Sequence, residues 1–95
     1  MTGTSSDTAA PTLAVVVPVH NETENLAPLI DEIRAALDGG AVYEIIYVDD
    51  GSTDATLNML KDLADKIPEL RVLRHVACCG QSAAIWTGVR AARAP

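Results

Sequence analysis

The amino-acid sequence predicts an α/β domain: a parallel sheet with helices on both faces and strand order 3-2-1. Three observations carry this expectation. The apolar centres of "LAVVVPV" (Leu13–Val19) and "YEIIYVDD" (Tyr43–Asp50) run on without polar alternation, as strands covered on both faces do. Amphipathic segments of helical period separate the strands, and a β-α-β-α-β-α order pairs strands in parallel through right-handed crossovers. Each strand then runs out into a polar or glycine-bearing segment: "PVHNE", "DDGSTD" and "HVACCGQS".

The first strand is a continuous apolar run rich in β-branched valine. Pro18 has no N–H for a ladder, so the strand is expected to end there or turn outward. In the following segment Leu26, Leu29, Ile30, Ile33 and Leu37 make one helical face. Asn21 with Glu24 resembles a loosened capping box, Thr23 is a second candidate cap, and Gly39 and Gly40 stop the helix. After the second strand, Leu57, Leu60, Leu63, Ala64 and Ile67 form a second helical face; Ser52, Thr53 or Asp54 can cap it, and Pro68 lies just past its end. "ELRVLRH" is a short third strand. "QSAAIWTGVRAARA" is an alanine-rich third helix that Gly88 weakens.

Ninety-five residues make one folding unit, and 48% apolar composition is enough for a core. With only Trp86, Tyr43 and Tyr47 as aromatics that core is aliphatic, and Trp86 is expected to pack on the sheet. The net charge of −6, with cations scattered rather than clustered, argues against nucleic acid as a partner. It leaves a phosphorylated ligand open, because helix N-termini or a metal can supply positive field. Cys78 and Cys79 are adjacent, read as two free thiols of a reducing cytosol. No run of 18 apolar residues is present to span a membrane. Residues 1–12 are expected to be a disordered leader without secretory features, and residues 13–95 the domain.

In open α/β sheets ligands bind beyond the carboxyl ends of the strands, where the three polar segments converge. Neither the G-x-G-x-x-G fingerprint nor a P-loop is present, so a nucleotide must be read in another way. Asp49 and Asp50 can accept from base N–H groups and ribose hydroxyls, and Gly51 lets the backbone turn and approach a ligand. His20 can stack on a base or hydrogen-bond to it. Glu22, taken alone, is equally a first-turn acid facing the helix dipole. His75 receives no role.

"VVVPVHNETENL", "EIIYVDDGSTDATLNML" and "GQSAAIWTG", in that order, resemble the start of a family-2 glycosyltransferase of the GT-A fold. The subgroup it is most similar to is the polyprenyl-phosphate sugar transferases. The resemblance covers Leu13 to Pro95 and implies the N-terminal nucleotide-binding half of that fold. It implies that Pro18, His20 and Glu22 line a base pocket, that Asp50 holds the nucleobase with Asp49 beside it, and that Gly51, Ser52, Gly80 and Gln81 lie near the nucleotide. His20 stands where the family usually has tyrosine, and Ala77 to Cys79 where it often shows asparagine. The implied partners are a nucleoside diphosphate sugar and a polyprenyl phosphate acceptor, at the cytoplasmic face of the membrane for a longer parent. The family's divalent metal, Mg or Mn, binds an aspartate-rich segment that follows a fourth strand, so its ligands are not expected in this chain. No general base with a partner is evident, and the chain alone is expected to transfer no sugar and either to self-associate through the exposed edge of its first strand or to be only partly folded. A non-catalytic nucleotide- or Mg-binding α/β module is the alternative, and a non-functional truncated product a third reading.

Overall fold

The computed structural model describes residues 10–40 and 42–94. The element order is β1 (Leu13–Val19), a 3-10 turn (Thr23–Asn25), α1 (Leu26–Leu37), β2 (Tyr43–Asp50), α2 (Thr56–Lys66), β3 (Leu70–His75) and α3 (Gln81–Ala91). The expected leader falls mostly on residues 1–9, outside the described ones. At its end, Pro11 is buried and Thr12 donates from both its N–H (2.8 Å) and its Oγ1 (3.2 Å) to the Val42 carbonyl.

The three strands form one parallel sheet in the order β1-β2-β3, the expected order read from its other edge. Every residue of the central strand β2 is buried, which is why its apolar run does not alternate. Its odd positions, Tyr43, Ile45 and Tyr47, pack with Leu26 and Ile30 of α1 and Leu60 of α2. Its even positions, Ile46 and Val48, pack with Ala84 of α3. Helices therefore cover both faces, two on one and one on the other.

β1 continues through Pro18, which pairs in register with Val48. Only the sheet edge tolerates a residue without an N–H, and β1 occupies an edge. Gly88, expected to weaken α3, sets how closely that helix lies on the sheet: a Cβ there would meet Val16 Cγ1 at 2.3 Å and Val48 Cγ2 at 3.2 Å. The expectation for Trp86 is corrected. The close face of α3 is made of Ala84 and Gly88, and Trp86 projects outward at 66% exposure, with Ile85 and Val89 also exposed.

Glu44, buried on β2, fixes the chain after α3. Its Oε1 accepts from Arg71 (2.8 Å), and its Oε2 accepts from the backbone N–H groups of Arg93 (2.6 Å) and Ala94 (3.0 Å). Burial pushes the Glu44 carboxyl up, but these bonds outweigh it and hold the group below its ordinary value.

Candidate functional site

Beyond the carboxyl ends of the strands, the segments after β1 and β2 are laced together. Asn21, at φ 53°, donates its N–H to Ser52 Oγ (2.9 Å), and its Oδ1 accepts from the Thr53 N–H (2.9 Å). The Glu22 N–H donates to Thr56 Oγ1 (3.0 Å). Asp54 Oδ1 accepts from both the N–H and the hydroxyl of Thr56, and these bonds hold its carboxyl below the usual range. The expected local caps are therefore redistributed. Asn21 does not cap α1, which starts at Leu26 without a side-chain cap, and Ser52 bonds Asn21 rather than α2. Asp54 alone serves the start of α2.

Asp50 is the hub. Its Oδ1 accepts from His75 Nδ1 (2.9 Å) and the Cys79 N–H (2.8 Å), and its Oδ2 from the Gly80 N–H (2.8 Å) and the Cys78 thiol (3.3 Å). From the end of β2 it caps the N-terminus of α3 across the sheet. A carboxylate has about four lone-pair positions, so all are in use. The Cys79 N–H and His75 contribute most to holding Asp50 well below the usual carboxylate range, against the effect of burial, with the thiol and Gly80 adding to it. The Asp50 backbone carbonyl in turn accepts from His20 Nδ1 at 2.8 Å, which fixes the proton on Nδ1 and leaves Nε2 as an acceptor.

A cleft of about 300 Å³ opens over this hub, lined by Pro18, Val19, His20, Glu22, Asp50, Cys78, Gly80 and Gln81. It gathers six of the residues singled out from the sequence: Pro18, His20, Glu22, Asp50, Gly80 and Gln81. An adjoining cleft reaches Tyr47, whose buried hydroxyl is pushed up to about 12 by burial and then by the Glu22 charge.

Asp49, Gly51 and Ser52 are not brought to the cleft. Neighbouring strand residues point to opposite faces, so Asp49 lies on the α1/α2 side with Tyr47 while Asp50 lies on the α3 side. Asp49 is 1% exposed, and neither of its carboxylate oxygens has a hydrogen-bond partner among the described residues. The two aspartates are therefore not a pair and cannot grip one ligand together. Gly51, at φ 70°, is approached not by a ligand but by the chain itself: a Cβ would meet Cys78 N at 2.5 Å and the Ala77 carbonyl carbon at 2.7 Å. His75, given no role from the sequence, is bound at both nitrogens, by Asp50 and by Thr87 Oγ1 at 2.7 Å. Its register partner across the sheet is Asp50, a relation visible only once the strands are aligned.

Among the described residues one cluster of metal-ligating atoms occurs, from Asp50, His75 and Cys79. It does not fit Mg or Mn, which take hard oxygen ligands. The set contains a thiol and an imidazole, and only one hard oxygen donor, the Asp50 carboxylate.

Residues 14–95 match the sequence profile described as glycosyl transferase family 2. The chain is 38% identical over 93 residues to the dodecaprenyl-phosphate galacturonate synthase of Rhizobium johnstonii, covering 96% of this chain and 28% of that protein. It is 39% identical over 80 residues to the dolichol-phosphate mannosyltransferase of Pyrococcus furiosus, covering 84% of this chain and 22% of that protein. Its fold superposes with a TM-score of 0.75 and 28% identity on the mannosyltransferase PcManGT from Pyrobaculum calidifontis, solved in complex with GDP-Man and Mn2+, over 90% of this chain and 25% of that one. The chain thus spans about a quarter of the length of the relatives it matches.

Proposed function

The chain belongs to glycosyl transferase family 2, and we propose that it supplies the nucleotide-sugar-binding part of a transferase that moves a sugar from a nucleoside diphosphate to a polyprenyl phosphate. The observation that carries this reading is the convergence of three segments, far apart in sequence, on the cleft over Asp50. The acceptor class follows the names of the relatives, which act on dodecaprenyl and dolichol phosphates.

In this reading the nucleoside enters beside Pro18 and the His20 ring, whose orientation is fixed by the Asp50 carbonyl. Asp50 can take a base N–H only by releasing one of its present donors. The Cys78 thiol is the weakest of them, at 3.3 Å from Oδ2, and it already forms part of the cleft wall. A base donor replaces the thiol, while the Cys79 and Gly80 N–H groups keep the carboxylate ionised and aimed. Glu22 closes the same cleft from the β1 side, and Gly80 and Gln81 form its α3 side.

These residues bind and orient rather than transfer. Asp50 has every lone-pair position occupied by a protein donor, so it holds a ligand rather than abstracting a proton, and the His20 ring is held in place by its bond to the Asp50 carbonyl. No described helix is long and apolar enough to cross a membrane. The reaction is placed on the cytoplasmic side, which two exposed free thiols support.

Titration of the chain with UDP and GDP, and with their sugars, tests the reading. Saturable binding that Asp50→Ala weakens at least about tenfold is expected from the loss of a charge-assisted hydrogen bond. Equal affinity in the variant rejects the assignment.

A further inference from the structure

We propose that Asp50, His75 and Cys79 form a binding site for a borderline-soft divalent cation of the zinc class. This goes beyond the nucleotide reading and does not rest on it. One ligand atom from each residue lies within 4.8 Å of the others. A tetrahedral ion with bonds of roughly 2.0–2.3 Å needs ligand atoms roughly 3.3–3.8 Å apart, so the cluster closes by about 1 Å. The side chain able to make that movement is Cys79. It is exposed, and its Sγ is now held only by a 3.3 Å contact to the Ala77 carbonyl.

The donor set is what zinc selects: thiolate sulfur, imidazole nitrogen and carboxylate oxygen. His75 is already oriented for it. In the present arrangement Nδ1–H donates to Asp50. In the other neutral tautomer the proton sits on Nε2 and is donated to Thr87 Oγ1, 2.7 Å away, leaving the Nδ1 lone pair facing the cluster. Thr87 then plays the outer-shell part that fixes a metal-bound imidazole. Coordination releases the Cys79 thiol proton to solvent and moves the His75 proton from Nδ1 to Nε2, which frees for the ion the Asp50 Oδ1 lone pair that Nδ1–H now occupies. Three protein ligands leave the fourth position to water, which the exposed Cys79 admits.

Titration of the reduced full chain with Co2+, and competition by Zn2+, tests this. One equivalent of Co2+ is expected to give a sulfur-to-cobalt charge-transfer band that Zn2+ abolishes and Mg2+ does not. Cys79→Ser is expected to remove the band, and His75→Gln to weaken binding at least about tenfold, the size of effect seen for lost ligand-shell partners. Far-UV circular dichroism checks that both variants fold, and Thr87→Val, remote from the metal itself, supplies a milder variant expected to weaken binding in the same direction. Absence of a charge-transfer band, or unchanged affinity in His75→Gln, overturns the proposal; the latter means that the adjacent thiols bind cobalt on their own.

Discussion

Replacing Glu44 by glutamine tests the clamp that holds the chain after α3. The side chain keeps its length and one acceptor oxygen, but its NH2 must face either the Arg71 guanidinium or the N–H groups of Arg93 and Ala94. Each charge-assisted bond is worth about 1.5–3 kcal/mol net. The full sum does not apply, because Arg71 is 32% exposed and can turn to water. A loss of about 2–3 kcal/mol remains, which for a domain of this size lowers Tm by roughly 8–24 °C. The effect depends on pH in a fixed direction. The folded-state carboxyl titrates below the ordinary value of 4.5, so the unfolded chain binds the proton first. The stabilisation is complete above that ordinary value and is lost as pH falls through the folded-state value. Thermal unfolding of both proteins, followed by far-UV circular dichroism, should show the widest gap near neutrality and a narrowing gap below about pH 4.5. A Tm that does not change, or a gap independent of pH, refutes the reasoning.

Gly51→Ala should disrupt the Ala77–Gly80 segment, since the new Cβ meets backbone rather than a yielding side chain and φ is 70° there; amide exchange at Cys79 and Gly80 reads the loss, and native protection contradicts it. The two adjacent aspartates should respond oppositely to amidation. Asp50→Asn destabilises by about 1–3 kcal/mol and so lowers the urea midpoint, because it breaks the cap on α3, while Asp49→Asn raises the midpoint, because the buried Asp49 carboxylate has no partner among the described residues. A fall in both midpoints contradicts the account of Asp49. β1 lies at a sheet edge with Leu13 40% exposed and no charged residue in the strand, so sedimentation should show self-association. A radiolabelled sugar nucleotide should show no transfer by this chain alone, and a monomer with turnover refutes both expectations.

The fold was legible because β2 is buried at all eight positions and its unbroken apolar run says so directly. The helices were legible from their apolar period, except where α3 reaches the sheet through Ala84 and Gly88, small residues that leave Trp86 outside. The cleft was legible in outline, since strand ends in a parallel sheet share one edge. Its wiring was not. That Asp49 and Asp50 face opposite sides follows from strand period, but their adjacency in sequence suggested a pair. That Asp50 caps α3 and binds His75 depends on register between β2 and β3, which no local pattern carries. Gly51 was expected to let the backbone approach a ligand; the tertiary fold shows that the group approaching it is the Cys78 backbone.

The claim that this cleft receives a nucleotide is tested most directly by mapping amide and imidazole NMR shifts of the chain during titration with GDP and UDP. Shifts should appear first at His20, Glu22, Gly80 and Gln81, with the Cys78 amide moving as its thiol leaves Asp50. Asp49, on the other face of the sheet, should be affected last. Saturable shifts centred on the α1/α2 face, or none at the cleft at saturating nucleotide, would contradict the account.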